Sequence, residues 1–130
     1  MKTLLFVYGT LLKGLRLHHH LGQATFIENA KLRGELYDVG TYPGLILNPA
    51  CGWVLGELYE VNDLTLQRLD EVEDYYPDPD LVHDSEYLRS QVKVLTNTHV
   101  EVSAQAYIYN KNVNGLKLIA TGNYAEYLRN

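Results

Sequence analysis

The sequence contains few of the residues that usually signal disulfide, hydrolase or nucleotide chemistry. It has one cysteine, Cys51, which excludes an internal disulfide and favours a reducing compartment. No base is evident beside Cys51, so we interpret it as a bystander thiol. Only three serines are present, and none lies in a GxSxG sequence. The sequence also lacks GxGxxG and GxxxxGK[ST], so it predicts no phosphate cradle.

Long apolar runs and basic clusters are also missing. The opening MKTLLFVY is interrupted by Gly9, Thr10 and Lys13 before it reaches the length of a signal peptide or a membrane span. A net charge of -5 disfavours nucleic acid and anionic membranes as partners, because both select basic surfaces. We therefore expect a cytoplasmic protein that forms one domain over residues 1–130. No sequence feature specifies an oligomeric state.

Histidines are the remaining candidates for metal binding. His18, His19 and His20 are consecutive, and three consecutive side chains on a helix or strand cannot converge on one ion. Solvated histidines are the better interpretation. His83 and His99 have no evident companion ligand, and no HExxH or CxxC spacing occurs. We therefore expect neither a metal nor a cofactor.

Tyrosine, in contrast, is abundant. The chain has 11 tyrosines against two phenylalanines and one tryptophan. A buried tyrosine needs a partner for its hydroxyl, so a tyrosine-rich interior often surrounds a polar pocket. Half-exposed tyrosines on strands are the alternative explanation for most of them.

The apolar pattern predicts an α+β domain with a curved or closed antiparallel sheet. The segments with strand-like runs or alternation are residues 3–8, parts of 24–39, 53–61, 87–95, 100–109 and the short run 116–120. Glycine and proline between residues 40 and 49 predict a surface connection. We expect a helical turn over residues 15–21, a hairpin turn at residues 96–98 and a terminal helix capped by Asn123.

A central helix is predicted over residues 64–73, LTLQRLDEVE, after a cap at Asn62 or Asp63. At about 100° per residue, the apolar side chains share one sector and Glu73 falls inside it. We expect Glu73 to be the one buried acid of the DEVED run, with Asp70 at the sector's edge. A carboxyl against apolar surface has a raised pKa and suits proton exchange near neutral pH.

The loop YGTL, residues 8–11, is the second candidate. A glycine at the end of a strand lets the backbone approach a ligand, and successive N–H groups can hold an anion. Each candidate also has an ordinary structural explanation. Gly9 could simply end a strand, and Glu73 could pair with an arginine, for which Arg89 is the obvious candidate.

Seven pieces of the sequence, taken in order, carry a resemblance. They are FVYGTLLKG at 6–14, GELYDVGTYPGLI at 34–46, WVLGELYEV at 53–61, LDEVED at 69–74, EYLRSQVKV at 86–94, AQAYIYN at 104–110 and ATGNYAEYL at 120–128. Together they resemble the gamma-glutamylcyclotransferase-like family, which includes gamma-glutamylamine cyclotransferases. The resemblance covers nearly the whole chain. It implies a small mixed, mostly antiparallel β-barrel with flanking short helices.

The resemblance also implies an activity. It is the cyclisation of a gamma-glutamyl amine or gamma-glutamyl amino acid to 5-oxoproline, with release of the amine, as a metal-independent reaction of acyltransferase or amidine-lyase type. Glu73 is then the general acid/base. The resemblance also implies the residues that bind substrate, which are Tyr8, Gly9, Thr10, Leu11, Tyr87 and Tyr107. The glycine that usually follows the glutamate is Asp74 here, which leaves the identity of the amine open.

Two alternatives of other classes remain. A non-catalytic domain of the same fold would bind a small amino-acid-like molecule without chemistry. A protein interaction module would need an exposed apolar patch, which the sequence does not reveal.

Overall fold

A closed β-barrel is the centre of the fold. The computed structural model describes residues 2–78 and 80–129. The strands are β1 (Lys2–Val7), β2 (Thr25–Asp38), β3 (Pro43–Leu47), β4 (Trp53–Asn62), β5 (Tyr87–Thr96), β6 (Glu101–Tyr109) and β7 (Lys117–Leu118). Five of them pair in the order β2, β4, β1, β6 and β5, and β5 returns to pair with β2. Only β1 and β6 are parallel among these pairs, which confirms the mixed, mostly antiparallel barrel.

The length of β2 allows one strand to serve two purposes. Its first part pairs with β4 and β5 inside the barrel, and its last residues pair with β3 and β7. The flanking helices are α1 (Asp63–Val72) and α2 (Tyr124–Arg129), with 3-10 turns at His18–Leu21 and Val82–Asp84. No helix in the described ranges is long and apolar enough to cross a membrane.

The prediction of a surface connection between residues 40 and 49 is wrong. Residues 43–47 form β3, and Pro43, Gly44 and Leu45 are buried. The reason is that β2 continues beyond the barrel with an edge to which residues 43–47 can pair. A hydrogen bond from the backbone N–H of Val39 to the Tyr42 carbonyl turns the chain back along this edge. Turn-forming residues therefore start a buried strand here.

Other local predictions are confirmed. Asn62 caps α1, since its side chain accepts a 2.8 Å hydrogen bond from the backbone N–H of Thr65. Asn123 does the same for α2, 3.1 Å from the N–H of Glu126. The turn between β5 and β6 is closed by the N–H of Thr96, which donates to the carbonyl of Val100.

Large apolar side chains fill the barrel interior. The most deeply buried of the core residues include Leu5, Phe6, Leu32, Val54, Leu58 and Val94. They come from strands that lie far apart in the chain, so their shared burial holds these strands together. The end of β1, the start of β3, the end of α1 and the start of β5 meet at one side of this core.

Candidate active site

A cavity opens where these four elements meet. Every residue that the sequence singles out for the site contributes to its wall. These are Tyr8, Gly9, Thr10, Leu11, Glu73, Tyr87 and Tyr107. The structure therefore brings together residues that lie up to 99 positions apart in the chain.

The end of α1 places Glu73 against this cavity. The helix closes with two backbone hydrogen bonds, from Tyr75 N–H to the Asp70 carbonyl and from Asp74 N–H to the Glu71 carbonyl. This is the Schellman arrangement, which requires a left-handed residue, and Asp74 supplies it with a φ of 55°. Asp74 thus takes the backbone conformation that a glycine adopts most easily. Glu73 is the last residue before the chain turns away.

The environment of Glu73 suits proton transfer near neutral pH. Its carboxyl is almost enclosed by protein, although the residue keeps some exposed surface. Burial, assisted by the negative charge of Glu86, raises the pKa of Glu73 from 4.5 to about 7. In the part of the chain that the structure describes, its side chain forms no hydrogen bond and no ion pair. The carboxyl is therefore free to act on a ligand.

Asp70, rather than Glu73, is the most buried acid of the DEVED run, so that prediction is wrong. Its exposed fraction is 7%. Arg89 donates two hydrogen bonds to the Asp70 carboxylate, at 2.8 Å from Nε and 3.1 Å from Nη2. Tyr107 adds a third at 2.7 Å. Arg89 thus pairs with Asp70, which lies about one helical turn before Glu73. Glu73 is left without an arginine partner.

Three buried tyrosines form the deep wall. The hydroxyl of Tyr8 donates to the carbonyl of Tyr107, and that of Tyr87 donates to the carbonyl of Pro43, each at 2.6 Å. Burial is the main reason that the pKa values of Tyr8, Tyr87 and Tyr107 are raised. All three hydroxyls stay protonated at neutral pH. Glu73, and not a tyrosinate, is therefore the candidate base.

The YGTL loop lines the cavity and keeps its backbone donors unused. Its carbonyls are engaged elsewhere: Gly9 accepts from Leu12 N–H and Thr10 from Leu17 N–H, both at 2.9 Å. The carbonyl of Leu11 accepts from His18 Nδ1, also at 2.9 Å. The N–H groups of residues 9–11 donate to no acceptor among the described residues. Three successive free N–H groups in a turn make an anion-binding concavity.

Comparison with known proteins identifies the family. The sequence profile described as gamma-glutamyl cyclotransferase, AIG2-like, matches residues 5–126. The chain belongs to this cyclotransferase family. A curated relative, the gamma-L-glutamyl-butirosin B gamma-glutamyl cyclotransferase of Niallia circulans, is 38% identical over 110 residues, covering 83% of this chain and 67% of the relative. The gamma-glutamylcyclotransferase family protein YtfP of Escherichia coli K12 is 32% identical over 129 residues, covering 94% of this chain and 96% of the relative.

Solved structures of similar proteins share the fold. YkqA from Bacillus subtilis superposes with a TM-score of 0.77 at 30% identity, over 98% of this chain and 41% of that one. This chain therefore corresponds to less than half of YkqA. An AIG2-like protein from Mus musculus superposes with a TM-score of 0.72 at 26% identity, over 89% of this chain and 84% of that one.

Two side chains that line the cavity escaped the sequence analysis. Glu86 and Tyr42 both line the cavity, and the Tyr42 hydroxyl donates to Glu86 Oε2. Glu86 begins the matched piece EYLRSQVKV, but nothing in its spacing marks it as facing a ligand. Its direction depends on Tyr42, 44 residues earlier in the chain.

His18 also has a role that the sequence did not indicate. The interpretation of residues 18–20 as solvated histidines fails for His18. This residue is partly buried, and its ring lies tilted by 58° against that of Tyr59 with 5.8 Å between ring centroids. Its Nδ1 donates to the carbonyl of Leu11 and so occupies that acceptor. His18 therefore supports the orientation of the donor loop in this family member.

Gly9 is required by a close approach within the protein. A Cβ atom at Gly9 would lie 2.6 Å from Cγ and 2.8 Å from Cδ of Pro43. Pro43 cannot retreat freely, because its carbonyl accepts the hydrogen bond from Tyr87. We expect Gly9→Ala to lower the free energy of unfolding by about 1 to 3 kcal/mol, the usual cost of overpacking.

Chemical denaturation of Gly9→Ala measures this effect. Gly52→Ala is the matched control, since a Cβ at Gly52 meets nothing within 4 Å. Equal free energies of unfolding for the two variants would contradict this prediction, because they would show that Pro43 can move aside without loss of stability.

Proposed function

We propose that the chain cyclises a gamma-glutamyl amine or gamma-glutamyl amino acid to 5-oxoproline. In this reaction the substrate's α-nitrogen forms a bond to its own γ-carbonyl carbon, and the bond from that carbon to the amide nitrogen breaks. The observation that best supports the proposal is an unpaired carboxyl with a pKa of about 7, Glu73, in the same cavity as three unused N–H groups. Membership of the cyclotransferase family agrees with it.

The geometry of the substrate removes much of the barrier. Nucleophile and electrophile belong to one molecule and close a five-membered ring, and such intramolecular positioning is worth roughly 7 to 11 kcal/mol. The cavity must therefore hold the glutamyl chain in its folded conformation. The enclosed wall of Tyr8, Tyr87 and Tyr107 serves this purpose, because all three rings are fixed by hydroxyl hydrogen bonds.

Glu73 moves the proton. The substrate reacts with its α-nitrogen as the free amine. As a carboxylate, Glu73 accepts the proton that this amine loses during attack, and as a carboxylic acid it returns the proton to the departing nitrogen. The proton count balances, and the carboxylate is restored when the amine leaves. A pKa near neutrality serves both halves of this cycle, since neither protonation state is strongly favoured.

The YGTL loop stabilises negative charge. The free N–H groups of Gly9, Thr10 and Leu11 bind either the substrate's α-carboxylate or the oxyanion that forms at the γ-carbon. Donors held by the fold need no rearrangement as charge develops. The hydrogen bonds to the three carbonyls, one of them from His18, hold the conformation of this loop.

Release of 5-oxoproline from a panel of gamma-glutamyl amino acids and gamma-glutamyl amines tests the proposal. We expect release from at least one member, and none from the corresponding α-glutamyl isomers, which lack the γ-amide. Binding of panel members without release would favour a non-catalytic binding domain instead. Neither binding nor release across the panel would contradict both functions.

A further inference from the structure

A second cavity lies on the outer surface of the barrel. It is bounded by the segment after the YGTL loop, by β2 and β4, by the turn between β5 and β6 and by the start of α2. Its wall includes Lys31 and Leu55, which alternate along their strands with the buried core residues Leu32 and Val54. The cavity volume is about 480 Å³, within the range of sites that hold small molecules. None of its described wall residues lines the candidate active site, so a ligand here would occupy a separate site.

Backbone hydrogen bonds hold the walls of this outer cavity together. The N–H of Asn97 donates to the carbonyl of Asn29 at 2.9 Å and joins the β5–β6 turn to β2. The N–H of Leu55 donates to the carbonyl of Gly122 at 2.8 Å and joins β4 to the start of α2. Because the barrel fixes each of these boundaries, the cavity is formed before any ligand binds.

The outer cavity carries more positive than negative charge, although the whole chain has a net charge of -5. Lys13 and Lys31 contribute two ammonium groups, and Glu57 is the one carboxylate among the described wall residues. Glu57 Oε1 already accepts hydrogen bonds from the backbone N–H of Lys13 at 3.0 Å and from the hydroxyl of Tyr59 at 2.9 Å. The described ion pairs do not join Glu57 to either lysine. The local charge therefore favours an anion.

Unused hydrogen-bond donors are concentrated in the same wall. In the part of the chain that the structure describes, the side chains of Lys13, Asn97 and His99 form no hydrogen bond and no ion pair. The ammonium group of Lys31 lies 4.5 Å from the centre of the Trp53 ring, and it donates to no oxygen of the described residues. An oxyanion has several acceptor sites and no need of a donor, so it matches these side chains.

Apolar surface lies between these donors. Leu55 is directly opposite Lys31 in the β2–β4 ladder, and 39% of its surface is exposed. Leu12 and Ala125 add apolar surface from the segment after the YGTL loop and from α2. Covering exposed apolar surface stabilises a complex, so an anion attached to a carbon skeleton fits this cavity better than a bare inorganic ion.

We propose that the outer cavity binds a small organic anion, in which a carboxylate or phosphate group is attached to an apolar portion. The anionic group binds through Lys13 and Lys31, and the apolar portion covers Leu55. This site does not depend on the proposed cyclisation, because the two cavities share no described wall residue.

Benzoate and benzamide test the proposal, because they have nearly the same shape and differ in charge. Phenyl phosphate is the corresponding phosphate probe. Titrations at constant ionic strength are followed by the backbone amide resonances of residues 96–99 and by the indole resonance of the single tryptophan, Trp53. We expect the wild-type protein to bind at least one of the two anions about tenfold more tightly than benzamide.

A double variant, Lys13→Met with Lys31→Met, should reduce this preference to near one. Methionine keeps an unbranched apolar stem at each position, so the variant removes charge with little change in packing. Lys111→Met is the matched control, because Lys111 is exposed and lies outside the outer cavity, and it should keep the wild-type preference.

The possible results separate this site from non-specific binding and from the proposed function. Binding that shifts residues 96–99 and requires the two lysines supports the site, and the tighter anion identifies the anionic group. Equal affinity for the anions and benzamide would overturn the proposal. An unchanged preference in the double variant, an equal loss in Lys111→Met or shifts confined to residues 8–11 would also overturn it. These titrations measure no catalysis, so their failure would leave the proposed cyclisation intact.

Discussion

Replacing Glu73 with glutamine should reduce kcat for release of 5-oxoproline by about 100-fold to 10,000-fold, the range attributed to general acid and base catalysis. Glutamine keeps the size of the side chain but can neither accept nor return the proton. The variant should still bind 5-oxoproline, since the loop donors and the tyrosine wall are unchanged. The measurements are steady-state release of 5-oxoproline and calorimetric binding of the product.

Glu71→Gln is the matched control for this prediction. Glu71 lies two residues earlier on the same helix and is exposed, so its removal should leave kcat within about twofold. Equal rates for Glu73→Gln and Glu71→Gln would show that Glu73 is not the acid/base.

The same substitution should stabilise the protein at alkaline pH. The pKa of Glu73 rises from 4.5 in the unfolded chain to about 7 in the folded protein. The folded state therefore binds more protons between these values, and stability is lost as the pH rises through this window. At pH 8 the charged carboxyl lowers stability by about 3 kcal/mol, at 1.36 kcal/mol per pKa unit. Glu73→Gln should recover most of that amount at pH 8 and almost none at pH 4, whereas Glu71→Gln should change neither value.

Replacing Asp70 with alanine should destabilise the fold strongly. The substitution removes the acceptor of three hydrogen bonds, from two nitrogens of Arg89 and from the hydroxyl of Tyr107. Breaking a buried ion pair from one side typically costs 3 to 5 kcal/mol. Because the Arg89 side chain is 24% exposed and can be partly hydrated, we expect Asp70→Ala to lower the free energy of unfolding by about 3 kcal/mol.

A double-mutant cycle with Arg89→Met tests whether these groups act as a pair. Once Asp70 is absent, removing the arginine charge should cost little free energy of unfolding. The losses in the two single variants should therefore sum to more than the loss in the double variant. Chemical denaturation gives all three values, and Glu71→Ala controls for the loss of an acidic side chain on the same helix. Additive effects would contradict a coupled pair. Asp70→Ala should also lower kcat/KM, because the Tyr107 hydroxyl loses the acceptor that fixes this wall of the cavity.

The location of Glu73 was predictable because it depends on the period of one helix. The angular position of residue 73 relative to Leu66 and Leu69 follows from the sequence of α1 alone. The burial of Asp70 was not predictable in this way, since it depends on an arginine 19 residues later that reaches α1 from β5. Sequence periodicity identified the apolar face of the helix but not the partner that makes a buried acid stable at its edge.

The same distinction holds for the strands. Alternation within residues 53–61 and 87–95 predicted β4 and β5, but the pairing of β5 with β2 closes the barrel between residues more than 60 positions apart. Such a pairing leaves no local signal, and the family resemblance supplied the expectation of a barrel. Residues 43–47 illustrate the opposite failure. Their glycine and proline indicate a turn, yet the edge of β2 makes them a strand.

The pH dependence of kcat/KM for 5-oxoproline release tests the central role of Glu73 most directly. This parameter reports the essential groups of the free enzyme, and Glu73 has a pKa of about 7. After correction for the fraction of substrate whose α-amine is unprotonated, we expect kcat/KM to rise by about tenfold per pH unit below neutrality and to level off above it. A rate that stays constant down to about pH 5, as a carboxyl of ordinary pKa would give, would contradict the account.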